Sequence, residues 1–294
     1  MCLASGAQPH FDSPEGELNI MRVPIVTVGD NVVDCYPELG VLYPGGNAIN
    51  VAVHVKRIGI QSAYVGALGN DRAGQAILNA LHSEGVDTSH TRIIDGENAH
   101  CNIALVNGNR VFQSSNLGVS RIVPRQSDYQ AMSECAIVHT GECSGLENDI
   151  EAISLQSEML SFDFSERPWD YISGLAPFVD IATISLPEDQ ESKARQIAVQ
   201  VLELGPQFVA ITLGASGVVL ASNDELVIQQ APLVKPVDTL GAGDAFIARM
   251  LCGFVWKEAL QEIAVASTQY ATNECLTHGA FGHEIPLDVA NISS

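Results

Sequence analysis

The chain has 294 residues, 46% hydrophobic and 17% charged, and its 35 acidic against 14 basic residues leave a formal charge of −21. That length predicts one large α/β domain with an insertion, or about two domains, and the apolar content excludes wholesale disorder. The acidity argues against a nucleic-acid partner, whose phosphates it repels, and no apolar run of about 18 residues predicts a membrane segment, so a cytoplasmic protein is expected. The seven cysteines, Cys2, Cys35, Cys101, Cys135, Cys143, Cys252 and Cys275, never form C-x-x-C. That pattern argues against a disulfide framework or a structural zinc site, and the eight histidines show no H-x-x-x-H spacing.

Residues 1–22 carry Gly, Pro, Ser and acidic residues without periodicity, and without the basic and apolar regions of a signal peptide they read as a disordered extension. From Ile25 the texture changes: Ile25-Val26-Thr27-Val28-Gly29 predicts a buried strand. The pattern then gives helix Asn47–Ile58, strand Ala63–Ala67, helix Arg72–Ser83 and a turn at Glu84–Asp87. Strands Ala136–His139, Leu160–Phe164, Val179–Ile184 and Phe208–Leu213 alternate with helices Asp149–Gln156 and Glu188–Glu203. Helices Ala242–Val255 and Leu260–Cys275 close the domain, which is expected to span 23–283 before a tail over 284–294. Such alternation predicts βαβ units and a mostly parallel sheet covered on both faces. Two stretches break the rhythm, about 31–44 and 98–116, the second with a hairpin signal at Asn107-Gly108-Asn109. Both predict a small β-structure beside the main sheet, a lid.

The segment with most chemistry in it is Val237-Asp238-Thr239-Leu240-Gly241-Ala242-Gly243-Asp244-Ala245-Phe246, at the start of an amphipathic helix. Glycines flanking an alanine let the backbone approach a ligand, and the unpaired N–H groups of Gly241, Ala242 and Gly243 would face an anion. Asp244 in that first turn is either an ordinary helix-start acid or a general base beside an anion hole. A dinucleotide fingerprint does not fit, because Phe246 stands where its third glycine belongs. No G-x-x-x-x-G-K-[ST] occurs either, and the chain has only Lys56, Lys193, Lys235 and Lys257.

Asp238-Thr-Leu-Gly-Ala-Gly-Asp244-Ala-Phe resembles the C-terminal signature of the ribokinase-like (PfkB) sugar kinases. Gly45-Gly46-Asn47-Ala48-Ile49-Asn50 resembles their N-terminal signature, and Thr212-Leu213-Gly214-Ala215-Ser216-Gly217 their nucleotide-contacting turn. The three motifs occur in order and span about Val23 to His283. The likeness is denser to the fructoselysine 6-kinases, through Gly29–Pro37, Pro44–Val53, Gly85–His90 and Phe162-Asp163-Phe164-Ser165.

The resemblance implies a three-layer αβα sandwich with a mostly parallel central sheet and a β-strand lid that often pairs subunits into a homodimer. It implies transfer of the γ-phosphoryl group of ATP to a primary hydroxyl of a ketose derivative, fructoselysine giving fructoselysine 6-phosphate. Open alternatives are fructose, a nucleoside or another fructosamine as acceptor, or a ligand-binding homologue without catalysis. Asp30, Gly45, Gly46, Asn47 and Asn50 would hold the sugar, Asp244 would accept the proton, and Gly241–Gly243 would stabilise the transferring group. Thr212, Gly214, Gly217, Gly241, Gly243 and Gly279 would meet ATP, and His278 could line its adenine pocket. The family's Asn-x-x-Glu appears here as Ser185-Leu186-Pro187-Glu188, so Glu188 would order water on Mg²⁺, and a monovalent cation could lie near Asp238. Arg110, Glu142 and Arg167 are candidates for the amino-acid end of the substrate. Plainer readings stand beside these: an Asx turn for Asp30, a helix cap for Asn47 and a first-turn acid for Glu188.

Overall fold

The computed structural model describes residues 23–106 and 109–287, with side chains placed in all of them except 105–112. The expected N-terminal extension, the tip of the expected hairpin and residues 288–294 lie outside the described residues. The chain begins with β1 (Ile25–Val28), β2 (Val32–Tyr36), β3 (Val41–Gly45), α1 (Asn47–Ile58), β4 (Ser62–Val65), β5 (Ala67–Gly69) and α2 (Arg72–Glu84). Next come β6 (Arg92–Ile94), β7 (His100–Val106), β8 (Asn109–Asn116), α3 (Gln126–Ser133), β9 (Ile137–Gly141), α4 (Ile150–Gln156) and β10 (Leu160–Asp163). The remainder is α5 (Trp169–Leu175), β11 (Ile181–Ser185), α6 (Glu191–Leu202), β12 (Phe208–Thr212), β13 (Val218–Ser222), β14 (Leu226–Gln229), α7 (Ala242–Trp256), α8 (Leu260–Glu274) and β15 (Ile285–Pro286).

The main sheet has eight strands in the order β14-β13-β12-β11-β10-β9-β1-β4. From β4 to β12 the neighbours run parallel, and β13 and β14 add antiparallel strands at the far edge. Side chains alternate across a strand, so both faces of a sandwiched sheet must be apolar. Ile25, Ile137, Ile181 and Ala210 accordingly pack with Val51 of α1, Met250 of α7 and Ile263 of α8. Their neighbours Val26, Val138, Ala182 and Val209 pack with Met132 of α3, Ile150 of α4, Ile172 of α5 and Ala198 of α6 on the opposite side. Full burial of each larger aliphatic chain contributes about 1.5–3 kcal/mol. The outcome is the expected three-layer αβα sandwich, and no described helix is long and apolar enough to cross a membrane.

A second sheet, ordered β15-β3-β2-β7-β8, forms the lid over the stretches expected from the sequence. One of its faces carries Tyr36, Tyr43, Cys101 and Ile103. The other sends Val33, Cys35 and Leu42 onto Ile49 and Val53 of α1 and Ile77 of α2. Its edge strand β15 pairs Ile285 with Leu42, so residues that the sequence pattern places in a tail complete this sheet. The strand expected over Ala63–Ala67 is divided at Gly66, where a Cβ would collide with the Tyr64 hydroxyl. The halves β4 and β5 therefore join different sheets. The sequence pattern misses α3, whose buried side chains are only Asp128 and Met132, too few to show a helical period.

Candidate active site

Ligands of open α/β sheets bind beyond the carboxyl ends of the strands, and here those ends bring together the N-termini of α1 and α7. Asp30 follows β1, and its Oδ2 accepts from the Asn47 N–H at 2.8 Å while Oδ1 accepts from the Ala48 N–H at 3.3 Å and the Ser144 hydroxyl at 3.0 Å. Its carboxylate thus caps α1 from another segment, where the helix dipole favours negative charge; the Asx-turn reading is replaced. Burial nevertheless pushes its pKa up, with those hydrogen bonds opposing. Gly46 enters α1 with φ 115°, and a Cβ there would lie 2.7 Å from the Asn31 Cα and 3.0 Å from Asp30 Oδ2. Only glycine permits that approach. Gly45 faces the lid instead, since a Cβ would come within 2.7 Å of Asp34 Oδ2.

Asp244, half-buried in the first turn of α7, is held by two amides of α1: Asn47 Nδ2 donates to Oδ1 at 2.7 Å and Asn50 Nδ2 to Oδ2 at 2.6 Å. Burial pushes its pKa up to about 6, the two asparagines oppose this, and the charge of Asp30 adds to it. Asn50 is itself buried, and its Oδ1 has no hydrogen-bond partner among the described residues. A buried acceptor without a partner costs about 1–3 kcal/mol, so this oxygen is suited to a ligand hydroxyl.

Asn47 departs from expectation. The cap position of α1 belongs to Gly46, and the Asn47 side chain turns inward. Its Nδ2 also donates to Asp163 Oδ2 at 3.1 Å, and its Oδ1 lies 3.1 Å from His139 Nε2. Both amide hydrogens of Asn47 are therefore committed to carboxylates, and of the two expected sugar contacts on α1 Asn50 is the one with an unpartnered oxygen. Asp163, at the end of β10, has its pKa pushed up to about 7 by burial and then by the charge of Asp244, against a hydrogen bond from the Ser165 N–H. His139 is fully buried on β9, and burial drives its pKa down to about 3. The motifs gave no role to Asp163 or His139. Their signal was available as polar residues near the carboxyl ends of apolar strands.

At the mouth of α7, Gly241 takes φ 73°, and a Cβ there would lie 2.6 Å from Ala280 Cβ. Nothing stands within 4 Å of a Cβ built on Gly243, so the space beside this first-turn glycine is open. Ala242 departs from the expected trio of anion donors, because its N–H bonds the Thr239 carbonyl at 3.3 Å and closes the turn. The N–H groups of Gly241 and Gly243 make no hydrogen bond among the described residues. Asp238 accepts from the Leu240 N–H at 2.7 Å and the Gly279 N–H at 3.0 Å, tying this loop to the one after α8.

Further along the row, Thr212 bonds the Ser185 hydroxyl at 3.0 Å. The turn Gly214–Ser216 packs beside Glu188, whose Oε1 accepts from the Ala215 N–H at 3.1 Å. A Cβ on Gly214 would lie 2.8 Å from that same oxygen. Glu188 is exposed and precedes α6, which begins at Glu191, so the first-turn reading is replaced. One exposed carboxylate fits a magnesium ion that keeps most of its waters and is held largely by phosphate oxygens. Among the described residues no group of three His, Cys, Asp or Glu could hold a metal directly. Packing also demands glycine at two of the expected nucleotide contacts: Gly217 faces the Gln229 carbonyl, and a Cβ on Gly279 would lie 2.7 Å from Tyr43 Cδ1 of the lid. His278 is exposed.

Beside Asp163, Glu142 Oε2 accepts from Arg167 Nε at 2.9 Å and Nη2 at 2.5 Å, and the guanidinium lies 5.3 Å from the Tyr171 ring centre. The Arg110 side chain lies outside the described residues.

Comparison with known proteins finds related sequences and a shared fold. The model of the pfkB family carbohydrate kinases matches residues 16–282. Fructosamine kinase FrlD of Bacillus subtilis is 36% identical over 89% of this chain and 94% of its own. Fructoselysine 6-kinase of Escherichia coli is 32% identical over 87% of this chain and 99% of its own. The structure of Arabidopsis thaliana ribokinase complexed with ribose and ATP superposes with a TM-score of 0.78 at 21% identity, covering 90% of this chain and 96% of that one.

Proposed function

The chain belongs to the pfkB family of carbohydrate kinases, phosphotransferases with an alcohol group as acceptor, and from that premise we propose that it transfers the γ-phosphoryl group of ATP to the 6-hydroxyl of fructoselysine. The observation that carries the chemistry is Asp244, fixed by Asn47 and Asn50 beside the open start of α7. With a pKa near 6 the carboxylate is largely ionised at neutral pH yet more basic than an ordinary aspartate, as a general base requires. It takes the hydroxyl proton as that oxygen attacks phosphorus.

The Gly241 and Gly243 N–H groups stabilise charge on the transferring group, each preorganised donor contributing about 3 kcal/mol. Gly46 and Asp30 bound the sugar on one side, and Asn50 Oδ1 accepts from one of its hydroxyls. Thr212 and Gly214 border the nucleotide. Asp30, Glu142, Asp163 and Asp244 make this end of the sheet acidic, and no P-loop lysine offsets the phosphates. Magnesium, held through water by Glu188, would supply that countercharge and polarise the phosphoryl oxygens.

Fructoselysine is favoured because two relatives named for fructosamine chemistry align over nearly their whole lengths. Arg167 then receives the carboxylate of the amino-acid end, at the margin of the sugar site beside Glu142. A second reading, a different fructosamine as acceptor, follows from the name of the 36% identical relative. A coupled ATP assay over fructoselysine, other fructosamines, fructose and nucleosides decides between them. The highest kcat/KM is expected on fructoselysine, and Arg167→Ala should cost about tenfold there and little on fructose. A preference for nucleosides, or no turnover with any ketose, would refute the assignment.

A further inference from the structure

Resting on that kinase reading, we propose that His139 is a positioning residue for the reaction: as a neutral ring carrying its proton on Nε2, it locks the Asn47 amide and thereby the Asp163–Asp244 carboxylate pair. The argument is one of donors and acceptors. Asn47 meets Asp244 Oδ1 at 2.7 Å and Asp163 Oδ2 at 3.1 Å through one nitrogen, which has two hydrogens to give. Its oxygen is left facing His139 Nε2 at 3.1 Å and can only accept, so the ring must donate there. The ring's other nitrogen, 3.0 Å from Ser161 Oγ, then accepts from that hydroxyl. The chain of bonds runs from Ser161 on β10 through His139 on β9 to Asn47 on α1 and ends on two carboxylates.

An asparagine amide on its own has two orientations of similar shape. In the wrong one its oxygen would face both carboxylates. The Nε2–H group of His139 removes that choice. Gly141 reserves the space, since a Cβ on it would lie 2.7 Å from Asn47 Oδ1 and 3.4 Å from Asp163 Cβ. A histidine suits the task because its burial among Thr27, Ser161 and Asn47 keeps it neutral throughout the working range of an aspartate base. The charges that raise the proton affinity of the pair are those of Asp30 after β1 and Glu142 after β9, the latter ion-paired with Arg167. Loss of the Asn47 donors would therefore raise the proton affinity of Asp244.

The test compares His139→Phe, His139→Gln and Gly141→Ala with the wild type in ATP-dependent phosphorylation of fructoselysine across pH. His139→Phe should lower kcat at neutral pH by about tenfold with an unchanged KM for ATP, and move the acid limb of kcat up by about half a pH unit or more. His139→Gln, which still presents an N–H to Asn47, should stay within about threefold of wild type and keep its limb. Gly141→Ala should reproduce the shift without touching the ring. A purely packing role would lower the folded fraction and leave the limb in place. An unmoved limb in His139→Phe, or equal damage in His139→Gln, would overturn the proposal. The tautomer is readable without activity, by ¹⁵N-histidine NMR of the wild type assigned with His139→Gln: a neutral Nε2–H ring is expected, and an Nδ1–H ring or a charged one at neutral pH overturns it. A wild type that phosphorylates no ketose would instead count against the kinase reading, and the NMR result would still judge the histidine.

Discussion

The ends of β1, β9 and β10 differ from those of β11 and β12 in how fully their polar groups are matched. On the first side Asp30, Asn47, His139, Asp163 and Asp244 bond one another or a helix start, and most of that network is buried or half-buried. On the second, Glu188 and the Gly214–Ser216 turn are exposed, and in the segment leading to α7 apolar residues meet solvent, Leu233 at 98% and Val237 at 53%. Under the proposed phosphotransfer the difference follows from what each side would do. Where a proton moves, the groups are fixed in advance, because reorganisation during reaction is costly. Where a nucleotide arrives with its own charge and metal, an open surface suffices and the ligand completes the site.

Asp244→Asn breaks the matched side at its centre. It should lower kcat by at least about 10²-fold while calorimetric binding of sugar and nucleotide persists; lost binding with intact turnover of the bound fraction would reverse the comparison. On the open side, Glu188→Gln should raise the KM for Mg-ATP by about tenfold and leave fructoselysine binding alone. A matching loss of sugar affinity would show that the two sides are not separate. Asp163→Asn is the smallest change and has the opposite sign for stability. The Asp163 carboxyl has its folded-state pKa raised to about 7, so the folded state binds the extra proton and stability falls as pH rises from the unfolded value through that range. The Asn variant lacks this penalty. Its melting temperature should exceed wild type by a few degrees above neutral pH and converge with it in mild acid; a variant less stable at alkaline pH would show that Asp163 is a structural anchor.

Much of the architecture is legible in the chain because period and punctuation are local. Asn47–Ile58 begins and ends where the apolar pattern places it, and Gly241-Ala242-Gly243-Asp244 marks the mouth of α7. The site is less legible, because its partners meet only through the fold. Asn47 reads as a cap or a sugar contact until β9 and β10 bring His139 and Asp163 to its amide. That Gly279 must also be glycine for packing shows only when β3 sets Tyr43 against it. Ala242 reads as an anion donor until the turn from Thr239 takes its N–H. A strand as short as β15 carries no period at all.

The central claim concerns which group accepts the proton, and the pH dependence of kcat reads that group directly. In the wild type the rate should fall with acid through a half-point at about pH 6, where Asp244 becomes protonated. In Asp244→Asn the residual rate should be flat through the same range. A limb that survives unchanged in that variant would place the base elsewhere and contradict the account.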